Sequence, residues 1–405
     1  MRKVLDVYLH ENLVGELEQL VTGKLRFTYF STWLENPKKC PLSCSLPLRN
    51  DPFSEKECRS FFSGILPEDS TRKTIAHNLG ISAKNDFSML EKIGGECAGA
   101  ITFIKKNTSL KSQDHFYRPI TNLELGEILK DLPYHPLMAG EKEIRLSLAG
   151  VQDKIAIYLK NGEMALSLNS APSTHIIKPS NPRFDGIVSN EALCLKLANE
   201  VGITSATANI KSVPGIEYLL VERYDRTLDE NGKIIRLHQE DFCQALGISP
   251  DIKYQAEGGP SLAQGFELIR RASTTPAVDL IMLLDAVFYN FLIGNHDAHG
   301  KNFSLLYIAN GIKLAPLYDL VCTSIYPDLD TKMAMKIGGE YQSKKVKIRH
   351  FEKLAEEANL AKPLVKSRLN DMKEKMINAI NLFTAENEFQ VKLLKHIRKR
   401  CETLA

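Results

Sequence analysis

Gly294-Asn295-His296-Asp297-Ala298-His299-Gly300-Lys301-Asn302 is the stretch on which the reading of this 405-residue chain turns. It follows Pro276 to Ile293, where Val278, Ile281, Met282, Val287, Phe288, Phe291 and Leu292 make a helix that is apolar nearly all round, hence a core helix. It leads into Ser304-Leu305-Leu306-Tyr307-Ile308, Asn310-Gly311 and Ile312-Lys313-Leu314, a hairpin by its Asn-Gly pair. Asp297 and Asn302 stand at the D-x-x-x-x-N spacing of a phosphotransferase catalytic loop. In such a loop the carboxylate accepts the proton of the attacking hydroxyl, and the amide oxygen holds Mg²⁺. A second metal carboxylate belongs just after the hairpin, and Asp319 in Pro316-Leu317-Tyr318-Asp319 is there.

Two other readings compete for this loop. One is a plain polar connection. The other is a hydrolytic metal site through His296 and His299, but these lack the H-x-x-x-H helix spacing and Lys301 would repel the ion.

Phosphoryl transfer also needs a cation on the nucleotide phosphates. Thr174-His175-Ile176-Ile177-Lys178-Pro179 reads as a strand with Lys178 at its end, a suitable place for that charge. Upstream, Ser147-Leu148-Ala149-Gly150-Val151-Gln152-Asp153-Lys154 has one glycine, so it matches neither the Walker pattern nor a three-glycine kinase loop. Its small residues suit a close approach of backbone N–H groups to phosphate, though a surface turn would use them too. Glu191 opens the next helix, either as an ion-pair partner for Lys178 or as an acid favoured by the helix dipole. Tyr218 to Tyr224 reads as a strand running into a hinge, where backbone groups would hold adenine with Tyr224 against the ring.

Around these motifs the chain divides into a strand-rich part up to about Leu237 and a helix-rich part after it. Residues 1–104 form a small unit of strand-like stretches (Val4 to Leu9, Leu25 to Tyr29, Ser43 to Leu48, Ala100 to Ile104) around helical ones such as Arg72 to Leu79. Residues 105–140 are a linker, polar from Lys105 to Arg118, and a short helix opened by Thr121 and Glu124 as in a capping box. Residues 141–225 form a smaller lobe and 226–405 a helical one, with a cleft expected between them. Two more hairpins are marked by Asn161-Gly162 and Asn231-Gly232. Helical spacing of Leu193, Leu197 and Val201 predicts a helix from Asn190 that Gly202 stops.

Composition bounds the rest. A chain of this length exceeds one compact core, so two or three packed units are expected. No apolar run approaches the roughly 20 residues needed to span a bilayer, and Asp6 and His10 interrupt any signal-peptide core. The expectation is a cytosolic protein. Net charge is +3, but from Tyr341 onward 15 Lys/Arg face 8 Asp/Glu, which leaves −4 for the remainder. Such a basic region suits nucleic acid, an acidic partner, or simply a solvated helical face. Eight cysteines, with Cys40 and Cys44 four apart and no second close pair, read as free thiols rather than a zinc site.

Taken in order, Ser147 to Lys154, Thr174 to Lys178, Val221-Glu222-Arg223-Tyr224-Asp225-Arg226, Gln239-Glu240-Asp241, Asp297 to Asn302 and Tyr318-Asp319 resemble the motifs of the HipA family, toxin kinases of bacterial toxin–antitoxin pairs. Phe61-Phe62-Ser63-Gly64-Ile65-Leu66-Pro67 and Gly94 to Ala100 resemble that family's N-terminal subdomain, so the likeness covers nearly the whole chain. The resemblance implies an α+β, two-lobed protein-kinase-like fold with an extra N-terminal α/β subdomain and a largely helical C-terminal lobe. It implies a bacterial, cytoplasmic, ATP- and Mg²⁺-dependent serine/threonine protein kinase. Asp297 matches the proton acceptor, Asn302 and Asp319 the Mg²⁺ ligands, and Lys178 the phosphate-binding Lys. Ala149, Gly150, Val151, Gln152, Asp153 and Lys154 match the phosphate loop, and Glu222, Arg223 and Tyr224 the adenine hinge. His299, Gly300, Lys301, Asn302 and Tyr318 match further nucleotide contacts. Ser147 matches a serine that the family autophosphorylates, which ejects the loop and shuts the enzyme off; as a plain residue it would cap a turn. Partners implied are a HipB-like helix-turn-helix antitoxin, operator DNA and a translation component such as glutamyl-tRNA synthetase or another aminoacyl-tRNA synthetase. Lys344 and Lys345 fall where the family touches the DNA backbone. The segment Pro179 to Gly186, the family's activation-loop region, is short.

Two alternatives stand beside the toxin kinase. A small-molecule kinase of similar lobe plan would have little use for the N-terminal unit. A catalytically dead partner of antitoxin and DNA would not need Asp297, Asn302, Asp319 and Lys178 intact.

Overall fold

The computed structural model describes residues 3–106, 108 and 116–403. Much of the expected linker, residues 107 and 109–115, lies outside the described residues, as do 1–2 and 404–405. The chain forms two compact units, Met1–Pro179 with Lys211–Asp251, and Ser180–Ile210 with Ile252–Ala405.

The first unit holds two sheets. One is antiparallel, in the order Leu25–Tyr29, Asn12–Gln19, Lys3–Leu9, Ile101–Lys105. Alternation along these strands sends Leu5, Val7, Leu9, Leu25, Phe27 and Tyr29 into the core, where Phe27 packs on Phe53 and Phe62. The strand Asn12–Gln19 has no strand-like composition, and its Gly15 explains why it fits. A Cβ there would lie 2.3 Å from Thr28 O and 2.9 Å from the Phe27 ring.

Ser43 to Leu48, expected as a strand, is instead a tight turn closed by a Ser43–Leu46 bridge. Its polar groups are taken by side chains: Glu240 accepts from Ser43 Oγ and, at 2.9 Å, from the Cys44 N–H. The Gln239-Glu240-Asp241 motif thus clasps this turn, while Asp241 caps the helix Phe242–Leu246. Thr121 caps the helix Asn122–Asp131, but Glu124 pairs with Arg118 instead of closing a capping box.

The second sheet runs Ala208–Val213, Ile216–Glu222, His175–Pro179, Ile155–Lys160, Glu163–Leu168, Phe116–Pro119. Asn161 and Gly162, both at positive φ, form the two-residue turn that the sequence predicts. The Asn231-Gly232 hairpin has a longer loop, because Leu228 pairs with Ile234 and Asp229 Oδ1 accepts the N–H groups of Asn231 and Lys233.

The second unit is built on the helix Pro276–Ile293, against which Leu262–Ala272, Lys362–Leu382 and Glu388–Thr403 pack. At 18 residues and mean hydropathy 1.7, this helix does reach the composition at which a helix can cross a membrane, contrary to the sequence expectation. Its two aspartates conceal the run and are both answered. Asp285 pairs with Arg368, and Asp279 accepts from Ser273 Oγ and the Leu314 N–H. The helix is 61% buried within the protein, as a core helix is.

All eight cysteines are free thiols, six of them buried; burial pushes Cys58 and Cys97 up to about 12.

A buried charge cluster knits the first unit. Glu96 meets Arg223, Arg226 and Arg236, and Asp225 meets Arg223 and Arg226. Burial alone would raise the Glu96 carboxyl, but Arg226, Arg236 and Arg223 outweigh it and hold the group at about 2. Its stabilising contribution is therefore complete above its ordinary value of 4.5 and disappears as pH falls through about 2. Replacing Glu96 with Ala leaves three guanidinium groups without it, and urea denaturation is expected to show a loss of about 3–5 kcal/mol at neutral pH.

Candidate active site

The core helix delivers the catalytic loop. Gly294 ends it in the left-handed region at φ 76°, where any side chain would strike Ser324 Oγ, 2.1 Å from the Cβ position. The next residue, Asn295, is buried and uses its whole amide. Its Nδ2 donates to Asn290 Oδ1 at 2.8 Å and to Asp319 O at 3.4 Å, while its Oδ1 accepts the Asp297 N–H at 3.1 Å. Asp297 stands exposed beyond it. Its Oδ1 accepts the Tyr254 hydroxyl at 2.7 Å.

Asn302 closes a short 3-10 turn, Gly300–Asn302, whose first residue Gly300 and neighbour Lys301 are buried. The Asn302 Oδ1 accepts the His299 N–H at 3.2 Å and keeps its second lone pair. Tyr318 Oη donates to Lys301 O at 2.7 Å. Asp319 sits at φ 51°, a conformation a non-glycine residue holds only when its surroundings impose it. Those surroundings are the Asn295 amide, the Leu317 N–H donated to Thr204 O at 2.9 Å, and Asn190. The Asn190 side chain clamps Cys322, accepting its N–H at 2.8 Å and donating to its carbonyl at 3.1 Å.

The two loop histidines go separate ways. His299 shares in the cap of the Gly300–Asn302 turn, whereas His296 Nε2 lies 2.9 Å from Ser343 Oγ. Among the described residues no group of three His, Cys, Asp or Glu could hold a metal ion. The hydrolytic zinc reading therefore lacks a donor set. Asn302 and Asp319 offer hard oxygens, which suit Mg²⁺; that ion needs only one or two protein ligands when phosphate oxygens complete its shell. Glu191, 2% exposed, lies in the helix Ile187–Glu200.

The residues expected at the phosphates and the hinge, Lys178, Ala149 to Lys154 and Glu222 to Tyr224, belong to the first unit. Lys178, 6% exposed, lies in the strand His175–Pro179 opposite Leu219. From Ala149 to Lys154 the chain turns back on itself at Gly150, φ 104°, and Lys154 Nζ donates to Ala149 O at 3.2 Å and Gln152 O at 2.8 Å. Glu68 Oε1 accepts the Gly150 N–H at 3.1 Å, and Thr71 Oγ1 donates to Val151 O at 2.8 Å. Burial raises the Asp153 carboxyl. Ser147 is no turn cap. It lies fully buried in a strand, Leu146–Ser147, paired with Glu96–Cys97, and its hydroxyl donates to Ile65 O at 2.9 Å. At the hinge, Glu222 is exposed and Tyr224 Oη donates to Gln239 Oε1. The Arg223 guanidinium turns into the buried cluster, its N–H goes to Thr174 O at 3.0 Å, and its carbonyl accepts the Arg226 N–H at 3.2 Å.

Lys344 and Lys345 are exposed on the 3-10 turn Ser343–Lys345. Burial first, then the charges of Arg400, Lys399, Lys392 and Lys344, lower the nearby His396. Lys344, Lys392 and Lys399 are exposed, whereas Arg400 turns inward onto the carbonyls of Leu292 and Phe291.

Sequence reasoning missed Asn190, Asn295 and Tyr254. The repeated Asn in Asn290, Asn295 and Asn302 was the available signal, since amides this close to a buried apolar helix need partners.

Comparison with known proteins agrees on one family. The HipA N-terminal domain profile matches residues 5–104 and the HipA-like C-terminal domain profile residues 146–380. The Sinorhizobium fredii protein Y4mE is 43% identical over 382 residues, covering 93% of this chain and 91% of that protein. The serine/threonine-protein kinase toxin HipA of Shewanella oneidensis is 30% identical over 389 residues, covering 93% and 88%. The solved complex of Shewanella oneidensis HipA, HipB and operator DNA contains a chain that superposes with a TM-score of 0.86 at 28% identity, over 99% of this chain and 97% of that one.

Burial, then the charge of Arg400, pushes the His296 imidazole down to about 4. Between its ordinary 6.5 and that value the unfolded chain binds a proton that the folded chain refuses, so stability is lost as pH falls through that window. The thermal midpoint of the native protein is expected to drop further, between about pH 7 and about pH 5, than that of His296→Gln.

Proposed function

The chain belongs to the HipA family of serine/threonine kinases, and from that premise we propose that it is the toxin of a bacterial toxin–antitoxin pair, using ATP and Mg²⁺ in the cytoplasm. The observation that carries the proposal is the pinning of Asp297 and Asp319 by the single amide of Asn295. A structural loop has no need of an exposed carboxylate held on so rigid a base.

In the proposed reaction a serine or threonine hydroxyl of the substrate attacks the γ-phosphorus of ATP and passes its proton to the Asp297 carboxylate. The bond from that phosphorus to the bridging oxygen breaks, and ADP leaves. Lys178 and the backbone from Ala149 to Lys154 hold the phosphates, and Glu222 to Tyr224 hold adenine by backbone groups. His299 to Lys301 and Tyr318 complete the nucleotide contacts. Asn302 and Asp319 would hold magnesium, which supplies charge neutralisation at the phosphates. On this reading residues 141–225 hold the phosphates and adenine, and 226–405 supply the base, the magnesium ligands and the remaining nucleotide contacts.

The substrate we propose is a translation component, an aminoacyl-tRNA synthetase such as glutamyl-tRNA synthetase, whose modification would arrest growth and favour persistence. A HipB-like antitoxin would restrain the kinase and join it to operator DNA, as in the Shewanella oneidensis complex. Lys344, Lys392 and Lys399 are exposed and all bear on His396, which supports a phosphate-backbone contact there, with Lys345 beside it. Ser147 would be the off-switch. Its hydroxyl is fully buried against Ile65 O, so a phosphoserine of roughly −1.5 to −2 charge cannot be accommodated without displacing the strand and the loop that follows.

Phosphate incorporation from labelled ATP, read by mass spectrometry, tests the chemistry. Asp297→Asn is expected to bind ATP and to transfer about 10² to 10⁴ times more slowly; equal transfer would remove Asp297 from its role. Label is expected on Ser147, with Ser147→Ala remaining active and the Ser147-phosphorylated chain inactive. Full activity of the phosphorylated chain would rule out the switch.

A further inference from the structure

Tyr254 belongs to none of the motifs that mark the catalytic machinery, yet it touches two points of the catalytic loop. Its hydroxyl donates to Asp297 Oδ1 at 2.7 Å. Its ring stands edge-on to His299, centroids 5.4 Å apart and planes at 83°, and His299 begins the turn that carries Asn302. The segment bearing Tyr254 is itself fixed. Its carbonyl accepts the N–H groups of Glu257 at 3.0 Å and Gly259 at 2.9 Å. The next residue, Gln255, accepts the Lys336 N–H at 2.9 Å through Oε1, which ties the segment to the strand Lys332–Ile337. Gly259 is packed so closely that a Cβ would lie 2.4 Å from Ile252 O.

A carboxylate on an exposed loop turns freely about its last torsion, which has a broad, roughly two-fold profile. Asp297 is such a group, and the Tyr254 hydroxyl is what holds its Oδ1; among the described residues Oδ2 accepts no hydrogen bond. Were Tyr254 a plug, Asp297 would be covered, and it is exposed. We propose that Tyr254 is a positioning residue for phosphoryl transfer, holding Asp297 by Oδ1 so that Oδ2 faces the acceptor hydroxyl and takes its proton. The assignment rests on the kinase reading and adds to it a group outside the family motifs that fixes the orientation of the base.

The test uses the full chain with labelled ATP and Mg²⁺, comparing the native protein, Tyr254→Phe, Asp297→Asn and the double variant. A hydrogen bond to a charged group commonly contributes enough that its loss slows transfer by about tenfold or more. Tyr254→Phe is therefore expected to lower the single-turnover rate at saturating ATP by about that factor. The ATP concentration for half-maximal rate and the thermal midpoint are expected to stay unchanged. In the Asp297→Asn background the same change is expected to cost nothing further, because the bond it removes no longer serves a base. A Tyr254→Phe enzyme as fast as or faster than the native one, or a loss that multiplies with that of Asp297→Asn, would overturn the assignment. A native protein that binds ATP and transfers nothing would instead overturn the kinase reading beneath it.

Discussion

One buried side chain amide holds the catalytic region of the second unit together. Asn295 grips the last turn of the core helix through Asn290, the backbone of Asp297 ahead of it, and the backbone of Asp319 some twenty residues on. A buried amide stripped of its partners costs about 1–3 kcal/mol per unmet group, so these bonds stand or fall together. The geometry also dictates the residue before it. Gly294 has to turn left-handed at the helix end, and Ser324 and Arg400 leave it no room for a side chain. A helix buried on most faces thus supplies a fixed origin, and one amide transmits that origin to both carboxylates.

Asp319 is held from the other side as well. Thr204 and Ala206 bond the backbone of Leu317, Tyr318 reaches Lys301, and Asn190 clamps Cys322. Each contact comes from a different stretch of chain. A positive φ at an aspartate is therefore over-determined and persists against its local cost. The same economy appears in the first unit, where Glu96, Asp225 and three arginines replace apolar packing between segments distant in sequence. Such clusters are poor sources of net stability and good sources of a unique arrangement, since each charge tolerates few alternative neighbours.

What the sequence made legible follows from this. Asp297, Asn302 and Asp319 stood out because phosphoryl transfer would demand those residue types in that order, and Pro276–Ile293 because a core helix demands apolar residues on most faces. Asn190, Asn295 and Tyr254 did not stand out, since an amide or a phenol acquires its meaning from tertiary neighbours alone. Gly15 and the acids around it hid a strand that exists because Phe27 crosses there, and Ser43 to Leu48 looked extended until Glu240 and Gln244 supplied its bonds. Arg223 shows the same limit from within a motif: its position was visible, but not that its guanidinium faces inward.

The two sets of functional residues are secured by different physics, and on the proposed function the difference is useful. The loop carrying Asp297 is held by the Asn295 amide bonded to Asn290 and to the backbone of Asp297 and Asp319, with the Tyr254 and Tyr318 hydroxyls at its flanks. The loop from Ala149 to Lys154 is closed by an N–H given to the Glu68 carboxylate and by an ammonium given to two backbone carbonyls. Those are the donors a phosphate group takes, and it takes them by exchanging one oxygen acceptor for another. Opening that loop for a nucleotide then requires a change of partners and no loss of hydrogen bonds. Ser147, two residues upstream of Ala149, is anchored by one hydroxyl bond to Ile65 O and by the two-residue strand paired with Glu96–Cys97.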